Sequence, residues 1–492
     1  FDYIVEPDVD SLLEELLPKV MMLKMFTVQL DTNAAEHAAR TVAMQTATDN
    51  GNEILQELTL EYNRIVSRRL RAKFSISSAV HCNNIRNFIR IAVLNLIFIR
   101  MRLLKRYMIA AVTFAVMAAF SLSAANVKLG DEQFSMYLPE LSGKRVAVFS
   151  NQSGIVGDKV LKGRGPDLNA PKVYGPHLVD VLKNRKHVNV TVIFSPEHGF
   201  RGNADAGAKV GDSIDGATGI KIVSLYGAPG RPNSEDIDLF DVLLVDIQDV
   251  GLRYYTYYVT MYRLMNICAE SGKKVIVLDR PNPNGFYVDG PVLDMKYKSG
   301  VGALPIPVVH GMTLGELALM INGEGWLEGG KQCELTVVPC KGYTHATKYS
   351  LIMPPSPNLK TMRAVYLYAS TCYFEGSVVS LGRGTEHPFE MYGSPDMSLF
   401  SYKFVPQSMP GALHPDYEGH ECSGVDLTTL TYEEIWRNGI NLNYIVNAYS
   451  MLMSLHGADR ERGLLPDGRP FFGRNPFIDK LIGNSWVREM II

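Results

Sequence analysis

This sequence is short of the residues that mark specialised classes of protein. It has six cysteines in 492 residues, too few for a disulfide scaffold. None stands in a C-x-x-C pair, so nothing supports a zinc ribbon or a thioredoxin-like centre. Charge of neither sign dominates. The 49 Lys and Arg residues face 51 Asp and Glu, a net −2 that supplies no basic footprint for nucleic acid. The turn after the first candidate strand reads SNQSGIVG rather than G-x-G-x-x-G, and no G-x-x-x-x-G-K-[ST] occurs. Support for a dinucleotide or nucleoside-triphosphate site is therefore missing. G-x-S-x-G and H-E-x-x-H are absent too, which leaves serine-hydrolase and zincin chemistry unsupported. Neither a metal nor an organic cofactor is expected. What remains, 46% hydrophobic and 20% charged, is the composition of ordinary globular protein.

These averages cover three unlike stretches. Residues 1–61 hold twelve acidic side chains against three basic ones. Residues 62–130 hold twelve Lys or Arg and no acid. Residues 126–492 sum to −4, from 35 basic and 39 acidic groups. Within residues 9–68, apolar and small side chains recur at helical spacing, from Ala34-Ala35 through Ala43-Met44 to Leu58 and Leu60. The words AEHAARTVAMQTATDNGNEILQELTLEYNRI (35–65) resemble the C-terminal helix of rotary ATP synthase gamma subunits. The resemblance covers residues 1–67, too little of that subunit to imply a rotor function. Residues 69–100 form an unassigned linker.

Residues 101–125 read as a secretory signal peptide. Arg102, Lys105 and Arg106 precede the apolar run YMIAAVTFAVMAAF (107–120), and Ser123-Ala124-Ala125 supplies small residues for cleavage. The expectation is a natural start at Met101 and an exported product, periplasmic or secreted, beginning near Asn126. The mature form needs no membrane. An uncleaved 107–125 segment would anchor the chain with its basic flank cytoplasmic. Five cysteines then remain, an odd number for an oxidising compartment, so at least one is expected to be free or bonded outside the chain.

From residue 142 the pattern changes to α/β. KRVAVFSN (144–151), VNVTVIFSPEHG (188–199), FDVLLVDIQDVG (240–251) and KKVIVLDRPNP (273–283) are continuous apolar runs separated by helical patterns. This predicts parallel βαβ units in a doubly wound sheet, with mixed α/β structure after a linker at MPPSPNLK (353–360). Ligands of such sheets bind beyond the carboxyl ends of the strands. Those ends carry Asn151-Gln152-Ser153, Glu197-His198, Asp246, Gln248 and Asp249, then Asp279-Arg280 and Asn282. Glu197, directly after Pro196, is a poor capping choice and stands out as chemistry rather than structure.

Two further clusters stand out. QDVGLRYYTYY (248–258) sets Arg253 among Tyr254, Tyr255, Tyr257 and Tyr258, whose faces and polar tips suit sugar rings or simply core packing. FEGSVVSLGRGTEHPFEMYGSP (374–395) is a Gly- and Pro-rich loop bearing Glu375, Arg383, Glu386 and Glu390. Carboxylates facing each other across a cleft suit glycoside hydrolysis, one protonating the leaving oxygen and the other acting as base, nucleophile or electrostatic support. The residues alone leave two readings, an exported α/β enzyme or a sugar-binding protein.

SPEHGFRG (195–202), DIQDVGLRYYTY (246–257), LDRPNPNG (278–285), VVHGMTLGELA (308–318), PPSPN (354–358) and FEGSVVSLGRGTEHPFE (374–390) together resemble the family of exo-β-N-acetylmuramidases. The resemblance runs from Lys144 to Ile492. It implies removal of terminal N-acetylmuramic acid from the non-reducing end of peptidoglycan fragments. The implied fold is a Rossmann-like domain (142–350), a smaller C-terminal α/β domain (351–492), and an active site in the cleft between them. By motif, Glu197 is the leading catalytic carboxylate with His198 beside it, and Glu375 and Glu390 are partner candidates above Glu386. Arg201, Arg253, Arg280 and Arg383 are candidates to hold the lactyl carboxylate, since a guanidinium grips a carboxylate bidentately. Asp249 and Asn282 could hold sugar hydroxyls, Tyr255 and Tyr257 could contact the ring, and His310 is structural. Ser377 stands where the family has threonine. Family members also continue for tens of residues beyond FIDKLIGNSWVREMII, so the C-terminal domain is expected to be truncated. A non-catalytic muropeptide-binding protein is the alternative.

Overall fold

The computed structural model describes residues 127–492 apart from 164–166, 198, 202–211, 227–230 and 474. The helical segment, linker and signal sequence predicted for residues 1–125 lie outside the described residues, as does His198. In chain order come α1 (Phe134–Leu141), β1 (Arg145–Ser150), the hairpin strands β2 (Val160–Lys162) and β3 (Val173–Tyr174), α2 (Leu178–Lys183) and β4 (Asn189–Ser195). Next are β5 (Ser213–Ile214), β6 (Lys221–Ser224), α3 (Ser234–Ile237), β7 (Val242–Asp246) and α4 (Tyr257–Ser271). β8 (Lys274–Leu278), α5 (Leu314–Gly323) and β9 (Leu335–Val338) complete this half.

Seven strands form one sheet in the order β5-β6-β4-β1-β7-β8-β9. Every neighbouring pair is parallel except β5–β6 at the edge. The chain runs outward from β1 to β4 and β6, then returns to the other side of β1 for β7, β8 and β9. The strand order thus reverses at β1, and a ligand crevice is expected beyond the carboxyl ends there.

Parallel strands are stable when both faces are covered, and the two-residue alternation of the pleat supplies two apolar faces. Ala147, Phe149, Phe194 and Val245 pack in one core with α4. Val146, Val148, Ile193 and Leu244 pack in the other with Tyr137 and Leu141 of α1 and Leu178 and Leu182 of α2. The first core continues into the C-terminal half. That half contains α6 (Met362–Thr371), a 3-10 turn at Cys372–Gly376, and the strands β10 (Met391–Ser394), β11 (Tyr402–Phe404) and β12 (Cys422–Asp426). These strands form an antiparallel sheet in the order β10-β12-β11. Four helices follow, α7 (Tyr432–Asn438), α8 (Asn443–Leu452), α9 (Phe477–Ile482) and α10 (Trp486–Ile491). The five described cysteines are all unbonded thiols. Among the described residues no helix is long and apolar enough to cross a membrane.

A buried charge cluster ties the carboxyl edge of the large sheet together. Arg280, just past β8, donates to Asp246 at the end of β7 (2.7 Å), to Asp158 (2.7 Å) and to Asp131 ahead of α1 (2.8 Å). Tyr349 donates to the second oxygen of Asp158 at 2.6 Å. Three carboxylates share one guanidinium, so the cluster holds more negative charge than its cation offsets. Burial, and then Asp246 and Asp158 against the pull of Arg280, push the Asp131 carboxyl up to about 7. An acid whose folded pKa is raised stabilises the fold fully below its unfolded value near 4 and loses that contribution as pH rises through the folded value. Thermal stability is therefore expected to fall by a few degrees between pH 5 and pH 8. Asp131→Asn, which mimics the protonated acid, should flatten that decline in a melting series. An unchanged slope would show that Asp131 stays ionised throughout.

Candidate functional site

Glu197 lies two residues beyond β4, next to the point where strand order reverses. Its side chain lines a cavity of about 160 Å³ together with Tyr254, Tyr255, Tyr257, Glu375 and Arg383. The tyrosine run forms the floor of this cavity rather than an exposed patch. It starts α4 directly after a turn at Gly251, where φ is +76° and an added Cβ would lie 2.2 Å from the Asn282 amide. That approach requires glycine. Tyr254 donates to the Tyr368 carbonyl (2.9 Å), while Tyr255 and Tyr257 donate to the Pro355 carbonyl (2.8 and 3.2 Å). Asn151, at the end of β1, donates to the Tyr257 hydroxyl at 3.0 Å. Phenols of the first half are thus tied to main chain of the second, and the PPSPN segment is pinned over the strand ends.

Tyr226, just past β6, hydrogen-bonds Glu197 through its hydroxyl. Burial and the neighbouring Glu197 charge push that phenol up to about 12, so it remains a donor at physiological pH.

Most of the rest of the lining comes from the C-terminal half. Glu375 sits in the 3-10 turn after α6 and accepts from Arg383 Nη2 at 2.6 Å. The Arg383 guanidinium also lies 5.1 Å from the centre of the Phe389 ring. Phe389 has φ +67°, a left-handed conformation that costs a bulky residue strain and that glycine would adopt freely. Its ring is held in the cavity wall by that backbone. Ser356 lines this cavity and also a longer groove of about 890 Å³, bordered by His177, Asp180, Arg201, Lys360 and Glu386.

Comparison with known proteins places this arrangement. The family model for the N-terminal domain of exo-beta-N-acetylmuramidase NamZ matches residues 168–363, and the model for its C-terminal domain matches residues 366–492. Peptidoglycan beta-N-acetylmuramidase NamZ of Bacillus subtilis is 34% identical over 372 residues, covering 72% of this chain and 81% of that protein. The chain belongs to the exo-beta-N-acetylmuramidase NamZ family. A crystal structure of a DUF1343 family protein from Bacteroides fragilis superposes with TM-score 0.63 and 51% identity, covering 75% of this chain and 91% of that one. A second from the same organism gives TM-score 0.56 at 28% identity, covering 74% and 90%. Residues 1–66 match the ATP synthase family. The ATP synthase gamma chain of Phocaeicola vulgatus is 68% identical over 63 residues, but these span only 22% of that protein and 13% of this chain.

Within the NamZ-family frame, several residues singled out from motifs lie away from the cavity. Arg253 is fully buried and donates to the main-chain carbonyls of Pro291 (2.7 Å), Ile306 (2.8 Å), Leu481 (3.1 Å) and Ile482. It fastens α9 to the first half and cannot reach a substrate carboxylate. Arg280 is consumed by its three aspartates. Arg201 is forked onto Asp180 (2.9 Å) and Asp215 (2.8 Å), at the groove rather than the cavity. Asp249 is buried and accepts from the Gly251 amide at 2.8 Å, with its carboxyl pushed up to about 7 by burial against three main-chain N–H bonds. Asn282 donates to the Met312 carbonyl and accepts from the Asn284 amide, each at 2.8 Å. Both therefore shape turns instead of meeting sugar hydroxyls.

Glu390 is equally displaced. It is fully buried, accepting from Thr361 (2.5 Å) and Arg363 (3.2 Å), and so braces the start of α6 behind Phe389. His310 is buried, accepts from the Met312 amide and is pushed down to about 4 by burial and then Arg253, which agrees with a structural role. Tyr226, Ser356, Asn358 and Lys360 were not singled out as site residues, though PPSPNLK contains three of them.

Replacing Arg253 with Met leaves four buried carbonyls short of a donor. The expected loss is at least ~3 kcal/mol of unfolding free energy. A denaturant titration measures it, and a loss under ~1 kcal/mol would mean that water replaces the guanidinium.

Proposed function

We propose that this chain is an exported glycoside hydrolase, periplasmic or secreted, that releases terminal N-acetylmuramic acid from the non-reducing end of peptidoglycan fragments. The observation that carries the reading is that Glu197 and Glu375, from opposite halves of the fold, line one aromatic-floored cavity. Family membership supplies the sugar. A pair of carboxylates is the usual equipment for acid-assisted glycoside cleavage.

The roles follow from the neighbours of each acid. Glu375 is ion-paired with Arg383, which suits the anionic partner that attacks C1, activates water or supports an oxocarbenium-like centre. Glu197 stands against tyrosine rings and takes the acid role, passing its proton to the glycosidic oxygen as the C1–O bond breaks. Burial of the reacting atoms between phenyl rings strengthens both electrostatic effects. Tyr226 positions the Glu197 carboxyl through its hydroxyl.

A chromogenic aryl β-N-acetylmuraminide, incubated with the 126–492 protein, is expected to release its chromophore. Glu197→Gln and Glu375→Gln should each cut kcat by about 10²-fold or more with little change in melting temperature. Equal or greater turnover of the matching N-acetylglucosaminide would rule out recognition of the lactyl group. Calorimetric binding of a muramic-acid disaccharide without any hydrolysis would favour the binding-protein reading instead.

Tyr226→Phe removes the hydroxyl that holds the Glu197 carboxyl and should lower kcat about tenfold with little change in melting temperature. A kcat within twofold of that of the unaltered protein would assign Tyr226 to packing alone.

A further inference from the structure

The long groove continues from the cavity through Ser356 and is more than five times larger, about 890 Å³ against 160 Å³. Its size is in the range that encloses a ligand larger than one sugar ring. An enzyme that trims one terminal residue needs a small pocket for that residue and an open path for the rest of its substrate.

The groove has two described cations, and they differ in availability. Arg201 uses Nε and both terminal nitrogens on Asp180 and Asp215, leaving little of the fork for a ligand. Lys360 is held more loosely. Its Nζ donates to the Thr385 carbonyl (3.1 Å) and meets the Met409 sulfur (3.6 Å). Its one ion pair among the described residues is with Glu386 at 3.3 Å. The lysine side chain is only 11% exposed, whereas Glu386 is 76% exposed. A nearly buried ammonium that keeps a solvated, mobile carboxylate as its partner is a site where another carboxylate can take over. Glu386 is already mostly solvated, so releasing it from Lys360 costs little so long as another carboxylate takes its place.

Resting on the muramidase reading above, we propose that the groove holds the aglycone of the substrate, and that Lys360 reads a carboxylate on that aglycone by displacing Glu386. Two sources share this chemistry, the lactyl carboxyl of the next muramic acid and the carboxyls of a peptide attached to it.

Three tetrasaccharides of alternating N-acetylmuramic acid and N-acetylglucosamine distinguish them. The internal lactyl group is left free, converted to its methyl amide, or joined to an alanyl-glutamate dipeptide with free carboxyls. The expected result is a kcat/KM about tenfold higher for the free acid or the dipeptide than for the methyl amide. Which of the two leads identifies the source. Lys360→Met should bring that preference within twofold, and Lys360→Arg should restore part of it. Glu386→Gln, a change at an exposed side chain, should lower KM for the preferred carboxylate by removing the competitor. Equal kcat/KM for all three tetrasaccharides with the unaltered protein would overturn the proposal, as would a KM unmoved by Glu386→Gln. Failure of the muramidase reading would show separately, as no turnover of the aryl muraminide.

Discussion

The cluster in which Arg280 holds Asp131, Asp158 and Asp246 is the constraint on which the rest of the site depends. It joins the ends of β7 and β8, the segment ahead of α1, and the loop between β1 and β2. Those are the pieces of chain that border the reversal of strand order. Removing the guanidinium would leave three buried carboxylates facing one another in a region of low dielectric. With it, the carboxyl edge of the sheet becomes a fixed platform. Asn151 then sits at the end of β1 with its amide on Tyr257, and the tyrosine floor is set from below.

The second wall is held by different means. Arg253 reaches 228 positions along the chain to the Leu481 carbonyl, and Tyr255 and Tyr257 clasp the Pro355 carbonyl about 100 positions away. Each of these contacts uses a side chain of the first half and a main-chain acceptor of the second. Main-chain acceptors cannot swing aside as side chains do, so the two halves that supply Glu197 and Glu375 to one cavity are joined by backbone. The strained Phe389 belongs to the same design. Its ring supports Arg383, which in turn holds Glu375. Backbone strain at one residue is thus converted into the placement of an acid.

The sheet was legible because buried parallel strands write continuous apolar runs, and each of the four long runs became a central strand. The place of Glu197 at a cavity was legible because strand ends are where such folds place ligands and because a glutamate is ill suited to capping there. The arginines were not. A guanidinium forked onto a ligand and one forked onto carbonyls look identical in a motif. The partners of Arg253 lie at 291, 306, 481 and 482, and no local pattern announces them. Glu375 and Glu390 are likewise separated only by tertiary placement. The first faces the cavity, and the second is sealed under Thr361 and Arg363. Lys360 escaped notice because it ends a proline-rich stretch that reads as a linker, although that stretch is the seam between cavity and groove.

The separation of the two kinds of cation bears on how specificity can arise in this fold. Arg253 and Arg280 are buried, with both terminal nitrogens of each bonded within the protein, and any substitution there alters the platform before it alters recognition. Arg383 is tied to the acid it supports, so it cannot grip a substrate carboxylate without loosening Glu375. Of the cations lining the cavity and the groove, Lys360 is the one that pairs with a carboxylate that solvent already holds most of the way out. Recognition of a negatively charged substrate can therefore vary at the groove while the two carboxylates keep their geometry. A substrate carboxylate that replaces Glu386 returns that side chain to water, where its desolvation cost is recovered. The charge balance at Lys360 is unchanged by the exchange, and the gain comes from the geometry of the incoming ligand.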